Sequence, residues 1–354
     1  MWHTIERAIA EIPRGYSEEI AQAVRERWDS LTKPRGSLGA LELEVVRLAQ
    51  IQDRAMPSVE RQCMYVFCGD HGITAEGVSP YPSVVTREMV KNFVRGGAAI
   101  NVLCRHFGIE TVVVDAGVGG PKLQGVLDRR IADGTRSFLR EAAMSEEQAE
   151  LSVAQGIELG RDAATRFDLA GVGEMGIGNS TSASALLCAL TRATPVEAAG
   201  TGAGLDEAGL QRKRDVLFAA LELHRAKRDG MGVLAAFGGF EIAMMAGFIL
   251  GAASRRLPVV IDGFISSAAF LVARTLCENI GDFVFFGHRS AELAHARLLQ
   301  EVGARPLLDL GMRLGEGTGA AMAMGVLTSG VKLYREMATF AEASVSDVKN
   351  EEAK

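Results

Sequence analysis

Met64-Tyr65-Val66-Phe67-Cys68-Gly69-Asp70-His71-Gly72 sets an apolar run directly against a glycine, an aspartate and a histidine. A short run without polar alternation suits a strand buried on both faces, as parallel sheets are. Ligands of open parallel sheets bind beyond the carboxyl ends of the strands, where this segment places its polar residues. The pattern recurs at Val114-Asp115-Ala116-Gly117, Ile261-Asp262-Gly263 and Phe286-Gly287-His288. Strands are expected at Met64–Cys68, Thr111–Val114, Leu169–Val172, Val259–Ile261, Phe283–Phe286 and Leu307–Leu310, separated by helical patterns. The expected fold is therefore α/β, with a doubly wound, mostly parallel, Rossmann-like sheet and a smaller helical domain.

The flanking sequence differs in texture. Ser17 is placed to cap a helix running to Asp29, and Leu41, Val45, Leu48 and Ile51 share one face of a second helix ending before Pro57. Between them lies a basic loop, Leu31 to Gly39. The expected division is a large domain over 57–330, with a helical insertion around 205–255, and a smaller one made of 1–56 with a C-terminal helix in 331–354. The last residues, from about Ser344, are polar and expected to fray.

Composition narrows the function. Of 354 residues 23% are charged, the formal net charge is -6 and aromatics are 6%. A nucleic-acid binder would need a basic patch to neutralise phosphates, so none is expected as a partner. The most apolar window, Gly239 to Ala253, falls short of the roughly 20 residues that span a bilayer. Five scattered cysteines and no apolar leader point to a cytoplasmic protein with reduced thiols. No cysteine or histidine spacing suggests a metal site, and Cys68 reads as a core residue.

Three glycine-rich turns carry the candidate chemistry. Leu314-Gly315-Glu316-Gly317-Thr318-Gly319 opens into an apolar helix, so Glu316 is expected to be ionised by the helix N-terminus and able to take a proton. Gly171 to Gly176 match G-x-G-x-x-G, with Glu197 downstream, so a dinucleotide site is a rival reading. A single phosphate held by the glycines Gly176 and Gly178, with Asn179 and the hydroxyls of Ser180 and Thr181 alongside, fits the same segment. The third turn, Gly200 to Asp206, adds the Gly202 amide and a basic helix containing Lys213; a phosphate clamp and a solvated basic face are both open. Ser79 and Tyr81 stand in a rigid Ser-Pro-Tyr-Pro turn that could line a pocket. Asp262 and His288 lie at strand ends, and His288 could contact an anion or satisfy a loop.

Leu31-Thr32-Lys33-Pro34, Asp70-His71-Gly72-Ile73, Glu174-Met175-Gly176-Ile177-Gly178-Asn179, Gly238-Gly239-Phe240-Glu241, His288-Arg289-Ser290-Ala291-Glu292 and Asp309-Leu310-Gly311-Met312-Arg313 through Gly319 occur in that order. Together they resemble the nicotinate-nucleotide:dimethylbenzimidazole phosphoribosyltransferase family from about residue 31 to residue 330. The resemblance implies transfer of ribose 5-phosphate from nicotinate mononucleotide to a benzimidazole-type base. It implies Glu316 as general base, with Glu174, Leu314 and Gly315 in the same site and Lys213 near the nucleotide phosphate. No cofactor is implied, and relatives are homodimers. The chain departs from the family pattern at Leu293-Ala294-His295, where Pro-Gly-His is expected.

Overall fold

A computed structural model describes residues 1–202, 204–227 and 229–347. Six strands pair in parallel: β1 (Gln62–Gly69), β2 (Glu110–Gly117), β3 (Leu127–Asp128), β4 (Leu169–Met175), β5 (Val259–Ile261) and β6 (Val284–Phe286). Their order is β3-β2-β1-β4-β5-β6, so the winding reverses between β1 and β4. Such a reversal opens a crevice at the carboxyl ends of the two central strands. Every residue of β1 is buried, which explains its unbroken apolar run.

Three helices, α1 (Trp2–Glu11), α2 (Glu18–Ser30) and α3 (Ala40–Gln52), precede the sheet. Ser17 caps α2 by accepting from the Ile20 amide at 3.2 Å. Helices α4 (Val84–Arg95) and α5 (Ala99–Phe107) join β1 to β2, and α6 (Glu146–Arg166) leads into β4. The long β4-to-β5 connection carries α7 (Asn179–Leu190), α8 (Pro195–Ala198), α9 (Glu207–Leu223), α10 (Gly230–Phe237) and α11 (Phe240–Ala253). Helix α12 (Phe264–Leu276) joins β5 to β6, and α13 (Leu293–Val302) and α14 (Thr318–Glu336) follow.

Helix α11 is buried along its whole length, against α6 on one side and β1, β2 and β4 on the other. That burial accounts for its apolar character all round. Glycines bring α6 and α11 into backbone contact: a Cβ on Gly156 would fall 2.0 Å from the Met244 oxygen, and one on Gly247 2.0 Å from that of Val153. At the other edge α3 packs on α2 and α14, and the Trp28 and Tyr334 rings lie 5.1 Å apart. The basic loop is structural. Lys33 is buried, pairs with Glu42 at 2.8 Å and sits over the Trp28 ring.

The sequence reading needs three corrections. Leu307–Leu310 is no strand; it makes one bridge, Leu308 to His288, beyond the end of β6. The two-residue strand β3 has no apolar run to announce it, since both residues are exposed. The C-terminal helix ends at Glu336 instead of continuing, because Met337 turns to extended backbone. The following residues fold back on α2, where the Phe340 amide donates to the Ser30 oxygen. Residues 348–354, most of the tail expected to fray, lie outside the described residues.

Candidate active site

A cleft of about 390 Å³ opens beyond the carboxyl ends of β4 and β5. Residues from six separate loops line it, Ser79 and Tyr81 among them. The G-x-G-x-x-G segment does not form a nucleotide-binding turn. β4 runs to Met175, so Gly171 and Gly173 are strand residues. They are needed for packing: a Cβ on Gly171 would meet the Met64 side chain at 2.4 Å, and one on Gly173 the Glu316 oxygen at 2.4 Å. Close backbone approach, not a pyrophosphate, selects these glycines, which removes the dinucleotide reading.

Glu174 points from the end of β4 into the cleft and is nevertheless buried. Its Oε2 accepts a short hydrogen bond from the side-chain Nδ2 of Asn179 at the start of α7. Burial, with the charges of Asp262, Glu241 and Glu316 nearby, pushes its carboxyl up to about 8, against the bond from Asn179. Gly315, at φ +84°, lies on this carboxyl; a Cβ there would fall 2.6 Å from Glu174 Oε1.

Glu316 lines the same cleft from the turn that opens α14. Its φ of 63° is left-handed, a conformation that costs a non-glycine residue energy and is held by its surroundings. Its Oε2 lies 3.5 Å from the Ile100 amide at the start of α5. The sequence expectation rests on the helix N-terminus; the fold adds burial, which acts the other way. Burial, with the charge of Asp262, outweighs the bond from the Ile100 amide, and the carboxyl sits above its ordinary value. Behind it Asp262, at the end of β5, accepts from the Gly317 amide at 3.2 Å and the Ala320 amide at 2.9 Å, fixing the turn. Burial raises the Asp262 carboxyl as well.

The wall of the cleft also includes Gly176, Gly178, Asn179, Ser180 and Gly202. Lys213 reaches it from below. Buried on α9, it donates to Ser180 Oγ at 3.1 Å and to the Gly200 oxygen at 3.2 Å. The solvated-face alternative therefore fails for this lysine, whose burial lowers its amine to about 8. Thr181 does not reach the wall; its hydroxyl is buried without a partner among the described residues. Leu314 and Gly315 line the cleft beside Glu316. His288 does too, 3.8 Å from Asp262, and its Nδ1 likewise has no partner among the described residues. Gly319 packs on its ring.

Two lining residues, Glu292 and Arg313, had no role in the sequence reading. Both lie within the quoted motifs, but nothing local distinguishes them from surface charges. His71 is turned inward, bonded to Glu241 at 2.5 Å and Ser182 at 2.9 Å beneath the cleft. Burial drives the Cys68 thiol well above its ordinary value, which removes it as a nucleophile. Among the described residues no group of three His, Cys, Asp or Glu could hold a metal ion, and no helix is long and apolar enough to cross a membrane.

The cleft thus joins carboxyl groups of raised pKa, Glu174 and Glu316 among them, to a buried amine behind glycine and serine. A family profile described as phosphoribosyltransferase matches residues 14–345. The chain belongs to the nicotinate-nucleotide:dimethylbenzimidazole phosphoribosyltransferase family. It is 48% identical over 336 residues to the nicotinate-nucleotide--dimethylbenzimidazole phosphoribosyltransferase of Chloroflexus aggregans, covering 94% of this chain and 95% of that one. The enzyme of the same name from Geobacter sp. strain M21 is 46% identical, with 97% and 99% covered. The crystal structure of CobT from Thermus thermophilus superposes with a TM-score of 0.88 at 42% identity, covering 93% of this chain and 99% of that one. Family membership and the all-parallel sheet agree with the expectations drawn from the sequence.

Proposed function

We propose that the protein transfers the 5-phosphoribosyl group of nicotinate mononucleotide to 5,6-dimethylbenzimidazole or a related base. The products are α-ribazole 5′-phosphate and nicotinate, in the nucleotide-loop branch of cobalamin synthesis. The observation that carries this reading is the placing of Glu174 and Glu316 in one cleft, with Lys213 behind the lining residue Ser180.

The chemistry follows from the acceptor. A benzimidazole attacks C1′ through its free ring nitrogen, and the product is cationic unless the other nitrogen loses its proton. A carboxylate at that N–H lowers the barrier, help typically worth about 10²–10⁴-fold. Glu316 takes this role, because it is a carboxyl of raised basicity that keeps an amide partner for its charged form. Glu174, at about 8, is largely protonated near neutral pH and adds little repulsion to an anionic substrate. The departing nicotinate regains its ring lone pair and needs no proton. Attack opposite it turns a β-linked nucleotide into an α-linked one.

Ser79, Tyr81 and Leu314 offer the acceptor an amphipathic wall. Gly176, Gly178, Ser180 and Gly202, with Lys213 behind, supply donors for the 5′-phosphate, whose anchoring orients C1′. The Rossmann-like strand order supports reading 57–330 as the reaction domain. The packing of α3 on α2 and α14 supports a smaller helical unit from the two chain ends. We read the protein as a cytoplasmic homodimer on the family resemblance and its five free cysteines; sedimentation checks the dimer. The transfer is tested with a panel of benzimidazole and phenolic acceptors and nicotinate mononucleotide, read by product mass. No riboside from any acceptor would remove the proposal.

A further inference from the structure

Glu292 is a carboxylate where the reading above places a phosphate. It lines the cleft from the start of α13, and its Oε2 lies where a Cβ on Gly200 would be 2.1 Å away. Only glycine at position 200 leaves room for it. The groups that act on this carboxylate are those suited to an anion: the Gly202 amide, Lys213 from α9 and Arg313 from the loop before α14. Arg313 lines the cleft and reaches the Gly202 oxygen at 3.4 Å. Lys213 hydrogen-bonds neutral partners, Ser180 and Gly200, and feels the charge of Glu292 through space.

The backbone of Glu292 is fixed from behind. Its amide donates to Ser290 Oγ at 3.2 Å, and His295 ties down the same loop by accepting from the Ser290 amide at 2.9 Å and bonding Ser267 at 3.0 Å. His295, the titratable neighbour on α13, is held neutral by burial, with a value of about 3. The side chain and its proton are what remain free to respond.

We propose that Glu292 is a resident anion that shares the phosphate seat, so that the 5′-phosphate enters as Glu292 gives up its charge or its place. This rests on the phosphoribosyl reading of the cleft. A dianion beside a fixed carboxylate is repelled. A proton taken from solvent onto Glu292 removes the repulsion and turns an acceptor into an O–H donor toward a phosphate oxygen. Burial already moves this carboxyl above its ordinary value. Binding therefore couples to proton uptake, and Glu292 weakens the hold of the site on any second anion.

The probe is inorganic sulfate, whose charge does not change near neutral pH, titrated calorimetrically in buffers of different ionisation enthalpy. Glu292→Gln is expected to bind sulfate about tenfold tighter or more, the equivalent of one pKa unit of relieved repulsion, and to lose part of the proton uptake. Glu292→Asp keeps the charge but withdraws it from Gly200, so its affinity is expected to lie between the other two. Equal or weaker binding by both variants, unchanged proton uptake, or no sulfate binding by any of the three proteins overturns the proposal. Nicotinate release by the wild-type protein is measured separately. Its absence counts against the transferase reading, while the sulfate titration still reports on the seat.

Discussion

A Cβ on Gly173 would fall 2.4 Å from the backbone oxygen of Glu316. Strand β4 and the turn carrying the proposed base are thus in main-chain contact, and the position of one sets that of the other. Gly173 has no left-handed φ, so an alanine there meets only the clash. We expect Gly173→Ala to cost about 1–3 kcal/mol of stability, as overpacking does. Turnover should fall more than tenfold once the Glu316 turn is displaced. Denaturant melts and steady-state rates check it; a variant with both unchanged would show that the turn gives way freely.

Glu316→Gln keeps shape and hydrogen-bonding capacity but cannot take a proton. Turnover at saturating acceptor should fall by about 10²–10⁴-fold, with little change in the KM for nicotinate mononucleotide. The variant should melt no lower than the wild type at pH values above the ordinary carboxylate range. Burial raises the Glu316 carboxyl, so its ionisation works against the fold. Turnover close to wild type would remove Glu316 as the base.

Glu174 has a folded-state value of about 8 against an ordinary 4.5. The folded protein therefore holds this proton longer than the unfolded chain. Its contribution to stability is complete below the unfolded value, declines as pH rises from there, and levels off above about 8. Glu174→Gln should flatten that decline, so its advantage in Tm should grow across this window. A Tm difference independent of pH contradicts the raised value. Because the neutral form prevails near pH 7, glutamine should cost less turnover here than at position 316.

Lys213 is lowered to about 8 by burial, and its hydrogen bonds go to Ser180 and Gly200, both neutral. A phosphate that completes its charge should be held well below this pH and less well above it. Lys213→Ala should raise the KM for nicotinate mononucleotide by about ten- to hundredfold, the worth of a hydrogen bond to a charged group. The same variant should leave the KM of nicotinate riboside, which lacks the phosphate, within a few-fold. Equal losses for both substrates would place Lys213 in the scaffold.

Strands of the sheet were legible where burial on both faces produced unbroken apolar runs, as at β1 and β5. β3 was not, because an exposed two-residue edge strand has no hydrophobic signal. Glu174 and Glu316 stood out because glycines surround them. The physical reason for those glycines was hidden: Gly171 and Gly173 make room for packing across the sheet, information that resides in the partner segment. The burial of Glu316 was hidden for the same reason, since a helix start is visible in sequence and what covers it is not. Glu292 and Arg313 gained meaning only when three distant loops met.

The base proposed for the reaction reaches the cleft on the turn before α14, after all six strands in the chain. Synthesis proceeds from the amino end, and domains gather in that order. Until that turn and α14 are made, β4 and β5 lack the helix that covers them, so the sheet and the catalytic turn are completed together.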